Sequence, residues 1–85
     1  MVLVKRLVLD VLKPHQPNAL EFSQAIAKAG GDYRVRTTVL EVDEKTETLQ
    51  VIVEGDAIDF YAVQSSISAL GGSLHSIDEV EVQGE

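Results

Sequence analysis

Histidine, carboxylate and lysine side chains are the only groups in this chain whose spacing suggests chemistry. His15 follows an apolar run that ends at Lys13-Pro14, and His75 lies near the start of the run Ser73–Val82. If the first and last runs are antiparallel neighbours, the end of one lies beside the start of the other. Both histidines are then expected at one end of a sheet, with Asp10 and Asp78 close by on adjacent strands. Imidazole and carboxylate groups together can hold a divalent cation, and a hard cation can be held through oxygens alone. The candidate metal residues are Asp10, Asp78 and Glu79, and the candidate ligand-binding residues are Lys13, His15, His75 and Ser76. The same groups allow a histidine to act as general base beside Asp10 or Asp78. Each also has a plain structural reading: Asp10 can pair with a Lys or Arg, and His75 can hydrogen-bond a loop. No catalytic residue is assigned.

Other chemistries find no support. The chain has no cysteine, which removes disulfides, thiolate metal sites and cysteine nucleophiles. Ser65, Ser66 and Ser68 fall in a helical pattern without a nucleophile elbow. Gly30-Gly31 and Gly71-Gly72 read as helix stops, since no phosphate-loop or dinucleotide fingerprint surrounds them. Glu54, Asp56 and Asp59 form a carboxylate cluster, but helix capping accounts for Asp56 and Asp59. The net charge of −7 opposes nucleic-acid binding, and the first and third strands lack the aromatics of an RNA-recognition sheet. No apolar run approaches the ~20 residues of a membrane span. Met1–Arg6 does not read as a signal peptide, so a cytoplasmic location is expected.

The elements that must position these groups follow from periodicity. Residues 3–13 are apolar on both faces, with Leu7, Leu9 and Val11 on one and Val8 and Leu12 on the other, as in a central strand. Asn18 followed by Glu21 marks a helix start, and Ala19, Phe22, Ala25, Ile26 and Ala29 form its apolar stripe. Residues 33–43 and 47–54 are strands joined by the polar turn Asp43–Thr46, hence a hairpin. A second helix starts at Asp56 as N-cap and carries Phe60, Val63, Ile67 and Leu70 on one face. Residues 73–82 form the last strand, and Gln83–Glu85 a frayed tail. The order βαββαβ predicts one α+β domain over 1–85. It is a ferredoxin-like two-layer sandwich with a four-stranded antiparallel sheet in the order 4-1-3-2.

Two helices cover one face of such a sheet. The other should carry Val8, Asp10, Leu12, Gln50 and Ile52, with Val4 as a further candidate, a mixture that favours an interface. All seven basic residues lie within positions 1–45, whereas residues 46–85 hold eight acids and no Lys or Arg. The outer strands then differ in sign: Arg34 and Arg36 on one, Asp78, Glu79 and Glu81 on the other. Unlike edges favour head-to-tail contact, which closes into a ring if the rotation permits. The expected partner is therefore a second copy. Val8, Leu12, Ile52, Arg34, Arg36 and Glu81 are the candidate interface residues.

Three stretches carry a resemblance to a known family: Leu9-Asp10-Val11-Leu12-Lys13-Pro14-His15, Glu41-Val42-Asp43-Glu44-Lys45-Thr46-Glu47, and Gly71-Gly72-Ser73-Leu74-His75-Ser76-Ile77-Asp78-Glu79-Val80. They resemble the prokaryotic, mainly archaeal, domain of unknown function 211. The stretch Asp32-Tyr33-Arg34-Val35-Arg36 stands where that pattern has a Gly-Val…Val-Asn approach to the second strand. The resemblance implies a ferredoxin-like fold and assembly into oligomeric rings, and implies no established activity. It draws attention to Asp10, Lys13, His15, His75, Ser76, Asp78 and Glu79 on the first and last strands. Three functions stay open: a non-enzymatic oligomeric module binding a small ligand or divalent cation between subunits, an enzyme with an intersubunit site, and a structural ring.

Overall fold

A computed structural model describes residues 1–85. Its elements are β1 (Leu3–Pro14), α1 (Ala19–Ala27), β2 (Arg34–Val42), β3 (Thr46–Glu54), α2 (Phe60–Ala69) and β4 (Ser73–Gln83). The sheet order is β2-β3-β1-β4 with every neighbouring pair antiparallel, which is the expected 4-1-3-2 read from the other side. The architecture is the ferredoxin-like α+β sandwich.

β1 is central because both of its faces can be buried. Leu7, Leu9 and Val11 face the helices and meet Leu49, Val51 and Val53 of β3. Phe22 and Ile26 of α1 and Val63 and Ile67 of α2 close over them, all fully enclosed. Val4 packs against this core rather than lying on the open face. The β1–β4 register shifts between Val4 and Arg6, and this irregularity moves Val4 to the helix side.

Local chemistry sets the helix ends, with two departures from expectation. α1 begins at a complete capping box: Asn18 accepts from the Glu21 N–H, and the Glu21 side chain accepts from the Asn18 N–H. The helix ends at Lys28, before the Gly30-Gly31 pair. Gly30 instead lies under the Tyr33 ring, where a Cβ would collide with it. Gly71 does close α2, in the left-handed region at φ +82°. α2 is capped by Asp59, not Asp56: Asp59 Oδ1 accepts from the Ala62 N–H at 3.2 Å. The reason is long-range. Gly55 and Ile58 donate their N–H groups to Lys5 and Val4 carbonyls, at 3.1 and 2.8 Å, and Ile58 enters the core. The segment is thus tied to β1 until residue 58, and Asp56 pairs with Lys5 at 2.8 Å.

The helices are short beside the strands. Ten helical residues span ~15 Å and eleven strand residues ~36 Å, in a molecule 46 × 22 × 17 Å. On the helix side, the outer strands are therefore left bare at Val39 and Val42 of β2 and at Ile77, Val80 and Val82 of β4. On the open face, Val8 is only 5% exposed, and Leu12 and Ile52 are half-buried. Gln83 pairs with Leu3 and extends β4 beyond the expected end.

Candidate functional site

Register decides which side chains meet. Lys13 of β1 lies opposite Glu47 of β3, both on the helix side of the sheet. The Lys13 side chain is fully enclosed. Its ammonium donates to the carbonyls of Pro14 and Pro17 at 2.9 and 2.8 Å and reaches Glu47 Oε1 at 2.8 Å, with the His15 carbonyl farther off at 3.4 Å. All three N–H bonds are committed within the protein.

Glu47 is shared with His15, whose Nδ1 lies 3.0 Å from Oε2. The other ring nitrogen, Nε2, lies 2.9 and 3.0 Å from the carbonyl oxygens of Asp43 and Glu44 in the β2–β3 turn. Both nitrogens face only acceptors, so the imidazolium is the form that satisfies them. The hydrogen bond to Glu47, then that to the Glu44 carbonyl, raises the His15 pKa above its ordinary value. The hydrogen bonds from His15 and Lys13 lower that of Glu47. Lys13, His15 and Glu47 thus tie the β1–α1 loop to the β2–β3 turn.

His75 lies elsewhere. It is exposed and makes no side-chain hydrogen bond, at an irregularity in the β1–β4 ladder between the Asp10–Ser76 and Val11–Leu74 pairs. His15 turns toward β3, on the side of β1 away from β4, so the two histidines share an end of the sheet but not a site. The proposed oxygen donors are spread in the same way. Asp10 sits between Gln50 and Ser76, and the Ser76 hydroxyl donates to Asp78 Oδ1 at 2.6 Å. Glu79 is held by Arg6 at 2.9 Å. No three His, Asp or Glu side chains converge as a donor set.

The open face carries a second arrangement, laid out in rows across the strands. One row reads Glu81, Arg6, Glu54, Arg34 from β4 to β2, and the next reads Glu79, Val8, Ile52, Arg36. Arg6 bridges Glu54 and Glu79, each at 2.9 Å, and these bonds raise its pKa, Glu79 contributing most. Arg34 and Arg36 are exposed and have neither ion pair nor hydrogen bond within the chain. With Arg6, Val35, Ile52 and Glu54 they line a cleft of about 270 Å³. Rows on the helix side are apolar at both ends: Val80, Leu7, Val53, Val35, and Leu74, Val11, Leu49, Val39.

The sequence profile of the family described as uncharacterized ArCR, the domain of unknown function 211 (DUF211), matches residues 5–85. The chain belongs to the DUF211 family. It is 42% identical over 77 residues to the uncharacterized protein MJ0319 of Methanocaldococcus jannaschii, covering 91% of this chain and 79% of that one. Two residues at the centre of these arrangements, Glu47 and Arg6, have no role assigned from the sequence, and a third, Glu54, is grouped there with Asp56 and Asp59 as carboxylates, whereas it pairs with Arg6. Glu47 was visible within the DUF211 turn motif, but counting outward from the turn places it only opposite Val42, and its partner Lys13 follows from the β1–β3 register. Arg6 and Glu54 become partners only once the β1–β3 register is known.

Proposed function

We propose that this DUF211 protein is a non-catalytic module that works as a homo-oligomer, its copies joined head to tail between the β2 edge of one and the β4 edge of the next. One observation carries the reading: four cross-strand rows, two on each face of the sheet, end in partners that match when the row is repeated. Arg34 and Arg36 end two open-face rows that begin with Glu81 and Glu79. On the helix side, Val35 and Val39 end rows that begin with Val80 and Leu74. β2 and β4 run in opposite senses, so a second copy in the same orientation extends the antiparallel ladder without reversal. The junction then sets opposite charges together on one face and apolar side chains together on the other, both favourable cross-strand pairings. A non-catalytic role is supported by the state of the best candidate groups. The Lys13 ammonium and the His15 ring are spent on internal acceptors.

The test is subunit stoichiometry by light scattering and native mass spectrometry. The wild-type protein is expected to have a multiple of the 9.2 kDa protomer mass, and Arg34→Glu/Arg36→Glu and Glu79→Gln/Glu81→Arg are each expected to be monomeric. Mixing the two variants restores assembly, because each supplies the edge the other lacks. A monomeric wild-type protein at low salt, or an Arg34→Glu/Arg36→Glu protein of undiminished mass, sinks the proposal.

A further inference from the structure

Arg34 and Arg36 stand out in an acidic chain. We propose that the cleft they form with Arg6 binds small polyoxyanions of the diphosphate type, and that such a ligand caps the β2 edge and limits assembly. The regulatory half rests on the head-to-tail reading above, whereas the binding half does not.

The geometry suits two linked oxyanion groups. Arg34 and Arg36 are two residues apart on one strand face, hence about 6–7 Å apart along the strand. Each guanidinium can grip a phosphoryl or carboxylate group through two parallel N–H···O bonds. Neither has a partner within the chain to displace. Arg6 forms the inner wall, and its double pairing with Glu54 and Glu79 fixes its position. It therefore orients the cleft, while Arg34 and Arg36 supply the unneutralised charge. The half-buried Ile52 lies between the arginines and β1, giving an apolar floor. The net charge of −7 works against anion approach at long range. The attraction is consequently local and favours a compact ligand over a nucleic acid, whose phosphates would meet the acidic remainder. A bound diphosphate takes the same guanidiniums that Glu79 and Glu81 of a neighbouring copy would meet, so ligand and neighbour exclude one another.

The experiment uses inorganic pyrophosphate, with sodium chloride at matched ionic strength as control. Binding is measured by calorimetry and by shifts of the Arg34 and Arg36 side-chain NMR signals. It is measured on the wild-type protein, on Arg34→Gln/Arg36→Gln, and on Ile77→Lys/Val80→Lys. The last pair alters exposed β4 positions on the opposite side of the sheet, Val80 among them at the proposed junction, so it weakens assembly and leaves the cleft's own residues unchanged. The expected result is saturable binding, one per protomer, to wild type and to the β4 variant. Binding to Arg34→Gln/Arg36→Gln should be weakened at least about tenfold. The assembled mass should fall with pyrophosphate and not with matched salt. Equal binding by the arginine variant, or none by the β4 variant, overturns the site. Binding without loss of mass overturns the capping role alone. A wild-type protein that is monomeric throughout overturns the assembly reading while the titration still decides the site.

Discussion

Lys13→Met removes one positive charge and little volume from the end of β1, and its cost follows from the contacts. The ammonium has two strong carbonyl acceptors, Pro14 and Pro17, and one carboxylate, Glu47, all within 2.9 Å. No solvent reaches the side chain to replace it. Hydrogen bonds to a charged donor each contribute about 1.5–3 kcal/mol but do not add when they share one atom. Removing one partner of a buried pair costs about 3–5 kcal/mol because the other stays charged. Here Glu47 keeps His15 at 3.0 Å and is not wholly enclosed, which places the loss near the lower limit, at about 3 kcal/mol. For a domain of this size that is roughly a 15 °C fall in Tm. Circular dichroism melts and urea titrations at fixed protomer concentration measure it, since self-association would otherwise shift the midpoint. The companion Lys13→Met/Glu47→Leu should lose less than the sum of its single variants, because no buried charge is left unpaired. A Lys13→Met loss below about 1 kcal/mol would refute the idea that this ammonium ties the β1–α1 loop in place.

The remaining expectations concern pH and capping. His15 has a raised pKa in the folded protein, so its contribution is complete below the ordinary histidine value near 6.5 and is lost as pH rises through the folded value. Glu47 has a lowered pKa, so its contribution is present above its ordinary value near 4.5 and is lost as pH falls through the folded value. The urea midpoint should therefore peak between these limits and decline toward pH 9, and His15→Gln should flatten the alkaline limb. An unchanged alkaline limb in that variant would count against the turn clamp. Asp59→Ala should cost about 1 kcal/mol through loss of the α2 cap, with Asp56→Ala costing less. The reverse ranking in urea unfolding would restore Asp56 as the cap.

Features fixed by local chemistry were legible in the sequence, and those fixed by register were not. The double-sided apolar pattern of β1 announced a central strand, and Asn18 with Glu21 announced a capping box, because each signal lies within a few residues. Asp56 and Asp59 offer the same local signal. The choice between them rests on Ile58 bonding to Val4, more than fifty residues away, and no short window contains that contact. His15 and His75 were correctly brought to one end of the sheet, but the side of β1 that each faces depends on Glu47 standing opposite Lys13. The open face was expected to be the apolar one. Its central position shields Val8, whereas strands outrunning two short helices leave Val80 and Val82 uncovered. Relative element length, more than residue type, decides where apolar surface remains.

Those uncovered positions bear on how assembly would end. Edge strands of monomeric proteins are commonly guarded by charges that repel a second edge. Here the charges on the two edges have opposite signs, so an edge repels its own kind and attracts the other. In the proposed assembly this would disfavour two-fold pairing of like edges and favour head-to-tail growth, which has no natural stop unless the rotation per copy closes a ring. The strand pairings differ in a way that matters for closure. The β1–β4 ladder shifts register at three places, and the β2–β3 ladder at one. Bulges bend a strand and increase its twist, so irregularity is concentrated at the acidic edge. An edge bent away from the plane of the sheet directs each added copy around a curve instead of along a flat ribbon. Restoring a regular β4 by deleting both of its extra residues, Asp78 between the Val8–Glu79 and Leu9–Ile77 pairs and His75 between the Asp10–Ser76 and Val11–Leu74 pairs, would then straighten the junction and convert closed particles into filaments. Electron microscopy and light scattering distinguish these outcomes, and closed particles of unchanged size would show that curvature originates elsewhere than in the β4 bulges.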